Sequence, residues 1–237
     1  MICLEFQSSQ LIDKQTASIL LTVLGFAFLI FLVVLVTVIK NRRAKERTLE
    51  LQKSAGLLGM EFAATVPMNW IPNLEKFALF NHGHTKSIAN VMYGQIDGVK
   101  GALFDYQYVT GQGKNRSTHN QSVVYFEPQN ISLPFFSLRP ENALHKIASA
   151  FGYQDIDFGN RSEFSRRYLL RGPDEQAVRN TFNDAAFGFY EMNQGTCTDG
   201  GGNQLFVFRQ GHRAAPLETQ SFINWAVGVK NLFARPW

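Results

Sequence analysis

Cysteine is scarce in this chain: the 237 residues hold two, Cys3 and Cys197. With no Cys-x-x-Cys pair, neither a disulfide framework nor a zinc ribbon can be assembled, and this usage suits a reducing compartment. Signatures of catalysis are missing too. The chain has no Gly-x-Ser-x-Gly elbow and no His-Glu-x-x-His helix, so the common serine-hydrolase and zinc-protease solutions are excluded. The start of the chain lacks a positive segment, a short apolar stretch and a small-residue cleavage site, so a cleavable signal peptide is not expected.

One feature is present in excess. Ala17 to Ile39 is an uninterrupted apolar run of 23 residues without a charge. At ~1.5 Å per helical residue it spans a hydrocarbon core of about 30 Å. A transmembrane helix is the expectation. No Asp, Glu, Lys, Arg or His lies inside the run, which argues for an anchor and against an ion or proton path.

The flanks differ in charge. Residues 1–16 carry Glu5, Asp13 and Lys14, whereas residues 40–53 carry six Lys and Arg (Lys40, Arg42, Arg43, Lys45, Arg47 and Lys53) against Glu46 and Glu50. One cation before the span and six after it place the C-terminal side in the cytoplasm by the positive-inside rule. The expected organisation is a short non-cytoplasmic tail (1–16), the span (17–39), a basic juxtamembrane stalk helix (40–59) and a cytoplasmic domain (60–237). This plan resembles that of small anchored proteins of bacterial inner membranes. Arg42, Arg43, Lys45 and Arg47 are the candidates for contact with anionic headgroups.

The remainder is nearly neutral. Residues 54–237 contain 16 Lys and Arg against 15 Asp and Glu, so the basic character belongs to the stalk and no nucleic-acid footprint remains.

Hydrophobic patterning predicts an α+β domain with an antiparallel sheet and about three helices. The strongest local signal is Ile88–Ile96 and Val99–Val109 joined by Asp97-Gly98, a pair suited to a type I′ turn. Ala102, Phe104, Tyr106 and Tyr108 alternate onto one face. Further strands are expected at Ser122–Phe126, Ser132–Leu138, Phe164–Arg171 and Gln204–Arg209, the last after an Asp199–Asn203 turn. Helices are expected around Leu144–Phe151, over Asp174–Tyr190 with the stripe Val178, Phe182, Ala185 and Phe189, and from Pro216 to Ala234. The element order also admits a pleckstrin-homology-like half barrel with a C-terminal helix. The recurring Leu-x-x-Phe-x-Leu at Leu74 and Leu133 raises the alternative of two duplicated halves.

Candidate site residues are few. Asp155 and Asp157 stand two apart, so an extended backbone points both carboxylates the same way, as a divalent cation would need. They define a runner-up function, a membrane-tethered metal-dependent hydrolase or transferase. Lys114 and Arg116, in a Gly-Gln-Gly-Lys-Asn-Arg loop that fails the phosphate-loop spacing, would meet a phosphate or lipid headgroup as point charges. His82-Gly83-His84 offers two imidazoles without a third ligand nearby. Arg166 and Arg167 form a basic pair flanked by Glu163. No metal or cofactor is expected, and the leading expectation is a binding or scaffolding module with a protein partner at the membrane.

Overall fold

The computed structural model describes residues 2–141, 154–159 and 162–233. The chain divides into two compact units, residues 1–49 and 50–237. The expected helix around Leu144–Phe151 lies outside the described residues.

The first unit is built on α1 (Ile2–Leu57). Its apolar stretch carries no proline, and Thr22 and Thr37 return their hydroxyls to the carbonyls of Ser18 and Val33 at 2.8 Å each. The hydroxyls are thereby satisfied inside the helix. Arg42 and Glu46 form an i,i+4 pair at 2.9 Å.

The second unit takes in the last two turns of the same helix. Leu51 and Ala55 are 4% and 1% exposed and belong to the domain's core. Ser54 donates to the carbonyl of Pro216. The helix stops where Gly59 takes a φ of 66° and the Met60 N–H bonds back to Ala55 O at 2.9 Å, the left-handed C-terminal geometry that glycine permits.

The domain is α+β, with one open antiparallel sheet of eight strands: β1 (Glu61–Val66), β2 (His84–Ile96), β3 (Val99–Thr110), β4 (Ser117–Glu127), β5 (Leu133–Pro140), β6 (Tyr168–Arg171), β7 (Thr196–Gly202) and β8 (Gln204–Arg209). Their order is β1-β2-β3-β4-β8-β7-β5-β6. With β1 and β6 at its two edges the sheet does not curl into the half barrel that the element order also admitted. Asp97 and Gly98 both adopt positive φ, 48° and 76°, as a type I′ turn demands. Two register shifts interrupt β2, one of them between Ala89 and Met92. There Asn90 has a φ of 52°, the local cost of a bulge.

Period-two alternation loads both faces of the sheet. Leu103, Val124, Phe126, Leu205 and Val207 face one core with the helices α4 (Glu175–Thr181), α5 (Asp184–Met192) and α6 (Thr219–Phe233). Ala102, Phe104, Tyr106, Tyr108, Phe206 and Phe208 face a second core. That core is capped by two 3₁₀ turns and the short α2 (Ala78–Asn81), through Ile71, Leu74, Phe77, Leu79 and Phe80.

Four local expectations are corrected. Phe164–Arg171 is not one strand: α3 (Ser162–Arg167) precedes β6, because Glu163 pairs with Arg166 and Arg167 at i,i+3 and i,i+4. Asp174–Tyr190 is two helices, each with its own cap. Asp174 accepts from Ala177 N and Asn183 from Ala186 N, both at 3.0 Å. The break after Thr181 shifts the buried stripe from Ala185 and Phe189 to Ala186, Phe187 and Tyr190. Asp199 to Gly201 lie in β7, and Gly202-Asn203 alone turns the chain into β8. The duplicated-halves alternative fails because Leu74–Leu79 forms a 3₁₀ turn and helix whereas Leu133–Leu138 is strand.

Candidate functional site

Asp155 and Asp157 lie on an extended segment beside β6, where Ile156 N donates to Leu170 O at 2.8 Å. Ile156 and Phe158 are buried and the two aspartates face outward. Partial burial holds the Asp155 carboxyl above the usual carboxylate range, an effect that the Arg171 charge opposes. Among the described residues no three His, Cys, Asp or Glu side chains converge as a metal-binding group.

Lys114 and Arg116 sit in the β3–β4 connection, which forms a 3₁₀ turn over Gly113–Asn115. Both are exposed. Arg42, Arg43 and Lys45 are exposed on α1 and Arg47 is half-buried. Among the described residues the histidines form no metal-binding group. His84 bonds to Thr85 and to Gly111 O, His212 lies against Phe222, and His82 and His119 contact the Tyr108 ring at centroid distances of 5.7 and 4.7 Å.

The sequence pattern missed two buried polar networks. On the capped face Arg139 of β5 meets Asp199 of β7: Nη1 to Oδ1 is 2.6 Å and Nη2 donates to Oδ2 at 2.9 Å. Asp199 Oδ2 also accepts the Leu79 N–H at 2.8 Å, so the carboxylate fastens the cap to the sheet. The guanidinium lies 4.7 Å from the Phe208 ring centroid. Burial alone would lower the Arg139 pKa; the Asp199 charge reverses this and leaves it raised. Burial pushes the neighbouring Cys197 thiol up to about 11, which makes it a structural and unreactive sulfur.

On the helix-covered face Asp105 accepts from Asn90 Nδ2 at 2.9 Å, Ser122 Oγ at 2.9 Å and Arg213 Nη2 at 2.7 Å. Ser122 Oγ in turn accepts the Ala214 N–H at 3.1 Å. This network explains the strained Asn90 backbone and pins the β8–α6 connection. These bonds tie β2, β3, β4 and the β8–α6 connection together, which is the arrangement of a fastening.

A cleft of about 370 Å³ opens at the β6 end of the sheet, among Glu141, α3, the start of β6 and the α5–β7 turn.

The class defined by this architecture is an open antiparallel α+β sheet domain following an apolar helix. That helix is long and apolar enough to cross a membrane, with a mean hydropathy of 3.2 in its most apolar stretch and none of that stretch buried. No protein-family model and no curated protein matches the chain. Among solved structures it is similar to the mycobacterial trehalose monomycolate transport factor A, TtfA, with a TM-score of 0.55 and 12% identity over 80% of this chain and 98% of that one. At that identity the likeness concerns the fold alone.

Proposed function

We propose that the chain is a single-pass membrane protein whose C-terminal domain faces the cytoplasm and acts as a non-catalytic binding or scaffolding module. The observation that carries this reading is the exposed apolar run of α1 followed by its basic flank. A helix without a charged or polar path is an anchor, and its cation asymmetry favours retention of the domain on the side of synthesis. Arg42, Arg43, Lys45 and Arg47 meet anionic headgroups.

The domain's interior supports a contact role. Its buried ionic groups are tied into fastenings, and its one buried thiol is held protonated. The fold likeness adds a direction: TtfA is a transport factor, and the present domain, by analogy, serves a membrane transport assembly through a protein partner.

Alkaline carbonate washing tests the anchor. The chain stays with the membrane pellet, and charges introduced as Leu24→Asp and Phe28→Asp release it. Release of the unaltered chain would refute the anchor, and substrate turnover by the purified full-length protein would refute the non-catalytic role.

A further inference from the structure

The charge of the domain is unevenly placed along its strands. Residues 54–237 are nearly neutral as a whole, with 16 Lys and Arg against 15 Asp and Glu. Towards one end of the sheet β2 begins, β3 passes into β4, and β8 leaves for α6. The segments 81–87, 105–121 and 209–215 meet there through the pairing of His84 with Val109 and of Thr110 with Ser117, and through the bond from Ser122 N to His212 O. They hold Lys86, Lys114, Arg116, Arg209 and Arg213 against the single carboxylate of Asp105, which is buried and engaged by Arg213. The other end of the strands carries Glu61, Asp97 and Glu127, the last two paired with Lys230 and Lys100.

The β3–β4 connection is built to present two of these cations. Gly111 has a φ of 68°, and a Cβ there would sit 2.2 Å from Asn115 O, so this close turn requires glycine. Asn115 N donates to Gln112 O at 3.1 Å, Arg116 N donates to Gly113 O at 3.3 Å, and His84 Nε2 bonds to Gly111 O at 3.0 Å. Lys114 and Arg116 stand exposed on this ordered turn and, among the described residues, take no carboxylate partner. No exposed large apolar side chain lies in the three segments. A protein interface draws its energy from buried aromatic and apolar anchors, which this end lacks. A charged headgroup layer needs only cations.

We infer that this basic end of the domain docks on an anionic phospholipid surface, with Lys114 and Arg116 as the leading contacts among the headgroups. This docking rests on the anchored reading, which keeps a bilayer within reach of the domain, and adds to α1 a second, reversible membrane contact. Being electrostatic, the contact weakens as salt shortens the screening length.

The test uses the full-length chain in a Cys3→Ser background, with an environment-sensitive dye on Gln112→Cys. It is reconstituted in vesicles of phosphatidylcholine alone or of equal phosphatidylcholine and phosphatidylglycerol, both with headgroup spin-labelled lipid that quenches the dye. Quenching is strong with phosphatidylglycerol, weak without it, and lost at high sodium chloride. It is lost also in the double variant Lys114→Ala/Arg116→Ala, whose melting temperature in detergent matches the parent's, and is kept in Lys114→Arg. A dye on Gln95→Cys, exposed near the Asp97-Gly98 turn, is quenched little in either vesicle. Equal quenching of the Gln112→Cys dye in the two vesicles, full quenching in the double variant, or stronger quenching at Gln95→Cys would each overturn the assignment. Saturable binding of poly-glutamate to the detergent-solubilised chain, with no phosphatidylglycerol effect, would replace the lipid by an acidic protein partner. Carbonate washing of the same vesicles keeps the two readings apart: a chain retained in the pellet without a phosphatidylglycerol effect refutes the docking and leaves the anchor standing.

Discussion

Arg139 and Asp199 lie on neighbouring strands, 60 residues apart in sequence, and form a buried ion pair with Nη1–Oδ1 at 2.6 Å and side chains 6% and 0% exposed. A buried pair is costly to break from one side, because the survivor is left charged and unpartnered. Asp199→Asn or Arg139→Met alone therefore lowers stability by about 3–5 kcal/mol. Asp199→Asn also weakens the tie to Leu79 N–H, loosening the cap over the second core. Replacing both residues together costs less than the sum of the single changes. Urea unfolding of the four combinations measures the coupling, and simple additivity would contradict it.

Alkaline pH is the second probe. Burial raises the Cys197 thiol to about 11 and Tyr168 to about 12, and it raises Tyr106, Tyr125 and Tyr190 further. In the unfolded chain these groups ionise at about pH 8.5–10. Between the unfolded and folded values the unfolded state binds fewer protons, so stability is full below about pH 8.5 and falls as pH rises from there towards 11–12. Melting temperature should decline over that window, and phenolate absorbance should rise together with unfolding. Tyrosine ionisation near the ordinary value with the fold intact would contradict the account.

Gly200 and Gly201 separate two kinds of close approach. A Cβ on Gly200 would sit 2.4 Å from Cε1 of the buried Phe136, and one on Gly201 would sit 2.3 Å from Cδ1 of Phe135. Phe135 is 37% exposed and can swing outward, whereas Phe136 is held inside. Gly200→Ala should cost about 1–3 kcal/mol, typical of overpacking, and Gly201→Ala less. Equilibrium unfolding of both variants checks the order.

Leu51 and Ala55 make the end of α1 part of the domain. Leu51→Ala should destabilise residues 50–237 by about 2–5 kcal/mol, the range for a truncated core leucine. A fragment beginning at residue 60 should melt below one beginning at residue 50. Identical melting of the two fragments would show that the last helical turns contribute nothing.

Local chemistry was legible wherever neighbouring residues decide the outcome. Asp97-Gly98 carries its own turn, and the alternation from Ala102 to Tyr108 survives because one face of β3 packs wholly into one core. The Val178–Phe182 stripe misled because apolar spacing is blind to a cap. Asn183 followed by Asp184 is an N-terminal helix signature in the middle of an apolar pattern, and it could have located the break. At Phe164–Arg171, Glu163 spaced three and four residues from two arginines signals helix more strongly than Phe and Tyr signal strand. The Arg139–Asp199 pair and the Asp105 network have no local signature. Each depends on strand register between distant segments, which emerges only when β5 docks on β7 or when the β8–α6 connection folds back over β3 and β4. Of the candidate site residues, Asp155 and Asp157 lie exposed on either side of the buried Ile156. The cleft beside Arg166 and Arg167 required α3, a helix the periodicity concealed.

The proposed anchoring of α1 and its orientation are the centre of the functional reading, and directional thiol labelling tests them most directly. In a Cys3→Ser background, Ser9→Cys reports on the N-terminal side, and Leu217→Cys, at a fully exposed position, reports on the domain; buried Cys197 stays silent. A membrane-impermeant maleimide applied to intact bacterial spheroplasts should label Ser9→Cys at once and Leu217→Cys only after the membrane is opened. Labelling of Leu217→Cys in intact spheroplasts, with Ser9→Cys protected, would contradict the account.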